Sequence, residues 1–217
     1  MSLLITPTLL NSFDWLQKCP PSWRERAYKD IMNTLNREPW KPNRAVRMGM
    51  DFEKKVYSVA NRPDLDELKA SEKFIKVCKR VKGYDYQRKT KLFVEVDGEE
   101  YCCFGRIDCY SSNEIIDIKT TAKYGGKGKY LSGWQHKFYT ALEGVEKFTY
   151  LIAEWKDAEK EDYIIKEVYE VPFAITTEEM PSVISEIKDH IRTFIDYVNF
   201  DDGMKEAYYT VYNRYNK

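Results

Sequence analysis

Carboxylates beside an amine are the side chains from which metal-assisted hydrolysis is built, and one stretch of this chain concentrates them. Gly105-Arg106-Ile107-Asp108 is followed nine residues after Asp108 by Asp117-Ile118-Lys119. On a strand, side chains alternate between faces, so Asp117 and Lys119 point the same way while Ile116 and Ile118 point into a core. A hairpin between the strands carrying Asp108 and Asp117 brings the two carboxylates together. Held close, they repel, and their ionised forms are comfortable only around a cation. Oxygen donors without His or Cys favour Mg²⁺ or Mn²⁺ over zinc. Such an ion polarises a phosphoryl oxygen and acidifies an attacking water, while Lys119 would orient or deprotonate that water or offset charge on the transition state. The competing reading of Asp117 and Lys119 is a surface ion pair on an exposed sheet face.

Two further pairs have suitable spacing. Gly49 precedes Glu53 by one helical turn on the same face, and Gln135 and Tyr139 share a face of a later helix. Glycine at 49 leaves room for an ion or a backbone to approach. Gln135 and Tyr139 would bond to phosphate or brace the carboxylates. Taken singly, each also reads as an ordinary solvated group.

Together the four pieces, Gly49 to Glu53, Gly105 to Asp108, Asp117 to Lys119 and Gln135 to Tyr139, resemble the motifs of the RecB-like and phage lambda-type exonuclease branch of the PD-(D/E)xK nuclease superfamily, in order and with plausible spacing. The resemblance covers about 90 residues and lies in the combination. It implies an α/β (α+β) restriction-endonuclease-like core, a mixed central β-sheet flanked by helices. It further implies that Glu53, Asp108, Asp117 and the Ile118 carbonyl hold one or two Mg²⁺ or Mn²⁺ ions, that Lys119 serves the water, and that Gln135 and Tyr139 support the site. The implied activity is DNA phosphodiester hydrolysis, as an exonuclease of phage-type or bacterial recombination, repair or processing. A weakly catalytic or inactive DNA-binding or assembly protein on the same fold is the alternative. Some relatives carry an iron-sulfur cluster on one N-terminal and three C-terminal cysteines; this sequence has no cysteine after Cys109, so no cluster is expected.

Around the motifs, Lys123, Lys127 and Lys129 lie in a glycine-rich loop after Lys119 that would close on a phosphate backbone, with Arg106 adding a contact; a mobile, merely solvated loop is the competing reading. Lys76, Lys79, Arg80 and Lys82 extend the patch or simply form a charged helix face. From Lys73 to Lys129 there are 13 Lys/Arg against 8 Asp/Glu; from Glu143 to Asp202 there are 6 against 16, so opposite faces would hold and repel a polyanion if the segments separate. Formal net charge is +0, so the whole molecule is not an obvious polyanion binder. His136 and His190 are too scattered for a zinc site and read as structural. Tyrosines 208, 209, 212 and 215 read first as packing in a terminal helix and second as stacking surfaces for bases.

The elements that must position these groups follow from periodicity. Ser22 and Glu25 have capping-box spacing ahead of Trp23, Ala27, Ile31 and Leu35; Ala45, Met48, Phe52, Val56 and Val59 make a second helical stripe; a third helix spans about 64–81. Alternating residues from Tyr86 to Val96, an Asp97-Gly98 turn, Glu100 to Tyr110, a Ser111-Ser112-Asn113 turn and Glu114 to Thr120 predict an antiparallel meander. A helix from about Ser132 to Gly144, strands Phe148 to Trp155 and Tyr163 to Pro172, and a helix from Thr176 to Val198 capped by Thr176 and Glu179 complete the order. We read one domain: helical to about 82, an α/β core over about 83–175, and C-terminal helices. No apolar run reaches the ~18 to 20 residues of a membrane span. No signal peptide is evident in Met1 to Leu10, and five cysteines without a C-x-x-C pair fit a reducing cytoplasm. DNA is the expected partner, with no membrane; a homo-oligomer or a recombination or replication protein is left open.

Overall fold

The computed structural model describes residues 2–39, 41–156 and 164–214. Six strands form one mixed sheet: β1 (Leu3–Ile5), β2 (Asp85–Val96), β3 (Glu99–Tyr110), β4 (Ile115–Thr121), β5 (Lys147–Trp155) and β6 (Ile165–Ala174). The predicted meander is present, since β2 pairs antiparallel with β3 and β3 with β4. Strand β4 then runs parallel to β5, which pairs antiparallel with β6. The connection from β4 to β5 must cross a sheet face, and it does so through α5 (Gly128–Leu131) and α6 (Gln135–Glu143). Gly144 closes α6 with φ 64°, the left-handed position expected of it.

Both faces are covered. Helices α1 (Pro7–Lys18), α2 (Arg24–Leu35), α6 and α7 (Met180–Phe200) share a core with Ile107, Ile115, Phe148, Tyr150 and Ile152. On the other face, α3 (Arg44–Val59) and α4 (Glu72–Arg80) pack on Ile116, Ile118, Leu151 and Ala153. The central strands are therefore apolar in both registers, and β5 is buried from Phe148 onward.

Several expectations change. Leu3–Ile5 is a strand, parallel to β3 through Tyr101, Cys102 and Cys103, where the sequence pattern suggests only helices. The Ser22–Glu25 capping box does not form: Pro20-Pro21 starts a 3-10 turn over Pro21–Trp23, and α2 begins at Arg24 without a side-chain cap. The helix expected over 64–81 is split into a 3-10 turn, Leu65–Glu67, and α4, whose cap is Ser71 accepting from the Phe74 amide. By contrast, Thr176 and Glu179 do make reciprocal bonds, in the turn just before α7. Pro181 is then tolerated in the first turn, where its missing N–H costs nothing.

After α7 come α8 (Asp202–Glu206) and a π-helical turn, Ala207–Tyr212, in which Tyr208 and Tyr212 are buried. The Tyr208 hydroxyl donates to the Leu4 carbonyl, and Leu4 N–H donates to Asn213, so this tail packs on β1. Tyr163 and Tyr215, both named in the sequence reading, lie outside the described residues.

Candidate active site

The ladder between β3 and β4 is short. Cys109 pairs with Ile116 and Tyr110 with Ile115, and there it stops. Continuing that register would set Asp108 opposite Asp117; instead the strands part, and the Asp108 carboxylate fills the gap by accepting the Ile118 N–H at 3.0 Å. The N–H and C=O of one strand residue point to the same edge, so the Ile118 carbonyl faces the same gap.

Side-chain alternation also breaks here. Ile107 and Cys109 should share a face, yet Ile107 belongs to the core under α6 and Cys109 to the core under α3. The partner strand does the same, with Val94 and Leu92 on the first side and Tyr86 on the second. Between them, opposite Asp108, Gln87 has φ 56°. A left-handed residue inside both strands' pairing switches the faces, and Asp108 comes to lie between them.

Asp117 rises on the α6 side and is 1% exposed, which removes the surface ion-pair reading. Its Oδ1 accepts from Gln135 Nε2 at the start of α6. Its buried Oδ2 pairs with the Lys119 ammonium at 2.6 Å. Glu53 approaches from α3, beneath the other face, and is half-buried. Gly49 brings α3 against β4: a Cβ there would stand 2.9 Å from Thr120 Oγ1, so the space it keeps is for a side chain of the sheet. Gly105 has a parallel role, since a Cβ there would meet the Tyr139 ring at 2.2 Å. Tyr139 packs against β3 at that point and donates to the Arg106 carbonyl at 2.9 Å.

Three carboxylates here face one ammonium. Burial and the Asp117 charge push the Glu53 carboxyl up to about 7, against the opposing pull of Lys119 and Arg106. Burial, then Asp117 and Glu53, push Asp108 well above the usual carboxylate range. Asp117 is raised by burial, with Lys119 and Gln135 opposing. Burial works to neutralise Lys119, but Asp117 and Asp108 outweigh it and hold the amine protonated. The set holds more carboxylates than cationic partners, and such an excess of buried oxygen donors suits a hard cation. As arranged, no three Asp, Glu, His or Cys side chains among the described residues form a closed ligand cage. Asp108, Asp117 and the Ile118 carbonyl at the gap fit a hard divalent ion in donor type, with Glu53 adding its charge from the opposite face.

The flanking residues divide. Lys129 lines a cleft of about 480 Å³ that also exposes Lys119 and Gln135 and is bordered by Trp15 and Lys18 of α1. The Arg106 guanidinium is near enough to Glu53 to pull its pKa down. Lys123 and Lys127 are exposed and do not line that cleft. Two members of the second basic cluster are committed elsewhere: Arg80 bridges Glu114 at 2.7 Å and Glu170 at 3.0 Å, and Lys79 pairs with Asp66. Lys73 to Glu167 and Arg88 to Glu143 likewise join the basic and acidic segments, so these do not separate onto opposite faces. His136 is buried against Tyr150 and Phe173, and burial lowers its pKa to about 4; His190 stacks on Trp134. Both are packed in the fold, as expected.

Sequence reasoning missed Gln87 and Tyr57. Gln87 Nε2 donates to Asp108 Oδ1 at 3.3 Å and to the Tyr57 hydroxyl at 3.0 Å. Tyr57 sits one turn beyond Glu53, and that spacing was the only signal available.

No family model matches the sequence, and no curated protein matches it. Among solved structures, the chain is similar to the crystal structure of SSO0001 (16% identity, 89% of this chain and 77% of that one, TM-score 0.48). It is also similar to an alkaline exonuclease, LHK-Exo, from Laribacter hongkongensis (11%, 90% and 90%, 0.46) and to a phage-related exonuclease from Haemophilus somnus 129PT (11%, 91% and 96%, 0.48). At these identities and TM-scores, the likenesses add nothing to the strand order and packing described above.

Proposed function

We propose that the chain is a Mg²⁺- or Mn²⁺-dependent nuclease that hydrolyses DNA phosphodiester bonds. The observation that carries this reading is Asp117: a buried carboxylate paired with a cationic amine and set beside Asp108 in the opening between β3 and β4. A divalent ion held by Asp108, Asp117 and the Ile118 carbonyl, with Glu53, would polarise a phosphoryl oxygen and lower the pKa of the attacking water. Lys119, paired with Asp117 and about one-third exposed to the cleft, would serve the water, orienting or deprotonating it, and offset charge on the pentavalent phosphorus. Gln135 fixes the Asp117 carboxylate, and Tyr139 holds β3 at Arg106, one peptide from Ile107. Lys129 on the cleft wall and Arg106 near Glu53 would take the phosphate backbone, with Lys123 and Lys127 as outer contacts. The sequence resemblance supports exonuclease action in DNA recombination, repair or processing.

The test is degradation of end-labelled duplex DNA with Mg²⁺ or Mn²⁺, with and without EDTA, repeated on Asp117→Ala and Lys119→Ala. Metal-dependent cleavage that falls by roughly 100-fold or more in each variant is expected. Cleavage surviving both substitutions, or none from the wild type, rejects the assignment. DNA binding without cleavage in the wild type would instead support an inactive binding protein.

A further inference from the structure

The geometry points to Gln87 as a positioning residue that sets the Asp108 carboxylate for divalent-cation binding, an inference that rests on the metal-dependent reading above. Two independent observations converge on it. First, Gln87 holds φ 56° within β2, a conformation that glycine adopts freely and a long side chain does not. A non-glycine residue kept there inside a strand is strained, and such strain gathers where a side chain has work to do. Second, the side chain that justifies the strain reaches Asp108 Oδ1 from the partner strand, at the one point of the β2–β3 ladder where both strands switch faces.

The amide is itself held from behind. Tyr57 accepts its second N–H at 3.0 Å, and the Tyr57 ring stacks on Tyr86 at 4.9 Å and 23°. Tyr86 is anchored in turn by donating to the Val81 carbonyl at 2.8 Å. Asp108 is thus fixed on both oxygens, Oδ2 by the Ile118 N–H and Oδ1 by the Gln87 amide. Donors on both oxygens set the carboxylate's plane across the gap between β3 and β4. Because Tyr57 belongs to the same helix as Glu53, the chain Glu53–Tyr57–Gln87–Asp108 ties the carboxylate from α3 to the carboxylate in the sheet.

The left-handed backbone supplies a test that separates positioning from packing. Gln87→Gly removes the amide and the strain together, so a merely structural residue would give a variant that binds metal normally. Gln87→Met keeps the bulk and the strain but has no donor. Both are compared with wild type by calorimetric titration of Mn²⁺ into the full chain at fixed pH, alongside urea denaturation in EDTA. The expected result is Gln87→Gly at least as resistant to urea as wild type, with Mn²⁺ affinity about 10-fold or more weaker in both variants. Wild type that binds Mn²⁺, loses it in Asp117→Ala, and keeps full affinity in both Gln87 variants overturns this inference alone. Wild type that takes up no Mn²⁺ overturns the nuclease reading and this inference with it.

Discussion

Glu53→Gln should change how stability depends on pH, and the structure sets the sign. Burial and the nearby Asp117 raise the Glu53 carboxyl from its ordinary 4.5 to about 7 in the folded, metal-free chain. The folded state therefore holds this proton more tightly than the unfolded chain does. Its contribution to stability is fully present below pH 4.5, is lost as pH rises from 4.5 through 7, and becomes a constant cost above. At ~1.36 kcal/mol per pH unit the rise corresponds to on the order of 3 kcal/mol. Solvent at this half-buried carboxylate reduces that to about 1–2 kcal/mol. The uncharged amide of the Glu53→Gln variant would carry no such dependence. Urea denaturation followed by tryptophan fluorescence in EDTA, at about pH 5, 6, 7 and 8, should show the variant gaining about 1–2 kcal/mol on wild type from the lowest to the highest pH. Taking the difference between the two proteins cancels, to first order, the titrating groups distant from Glu53, while Asp108, which feels the Glu53 charge, shifts with it and adds to the difference. At about pH 8, Mn²⁺ at about 100 times its dissociation constant should restore about 2.7 kcal/mol to wild type, and less to the variant. Parallel pH profiles for the two proteins would refute the account of Glu53 as a carboxylate confined beside Asp117.

Gly105→Ala should destabilise the chain by about 1–3 kcal/mol, because its methyl group meets the Tyr139 ring at 2.2 Å; adding Tyr139→Ala should recover part of the loss, and a single-variant cost under about 0.5 kcal/mol would contradict the packing. Arg80→Met leaves the Glu114 carboxylate with only Tyr84 and Thr149 as donors, so thermal denaturation should show a loss of about 1–3 kcal/mol while metal-saturated cleavage is unchanged. His136 should stay neutral on NMR titration down to about pH 5, since burial lowers its pKa to about 4; an imidazole that protonates near 6.5 would show that the ring is not enclosed as described.

The meander and the carboxylate pair were legible because their signals are local. Asp97-Gly98 fixes the β2–β3 turn, and a two-residue alternation puts Asp117 and Lys119 on one face. Leu3–Ile5 could not be read, since three residues carry no periodicity and their pairing with Tyr101–Cys103 spans almost 100 positions. The Ser22–Glu25 spacing misled because two prolines ahead of it favour a 3-10 entry, which displaces the cap. Gln87 was invisible for a different reason: strand alternation assumes an uninterrupted ladder, and the face switch at Gln87 and Asp108 is made by one backbone angle that no composition rule forecasts. The basic patch around Lys79 and Arg80 looked free because its acidic partners, Glu114 and Glu170, lie 34 and 90 residues downstream of Arg80.

The short β3–β4 ladder has a consequence for choosing inactive variants. Asp108 is masonry as well as machinery, because its carboxylate stands where a main-chain carbonyl would have met the Ile118 amide. Truncating it to alanine orphans that amide and loosens the joint, so lost turnover and a weakened scaffold would arrive together. Asn retains an acceptor for the amide while discarding the charge, and is the cleaner knockout at this position.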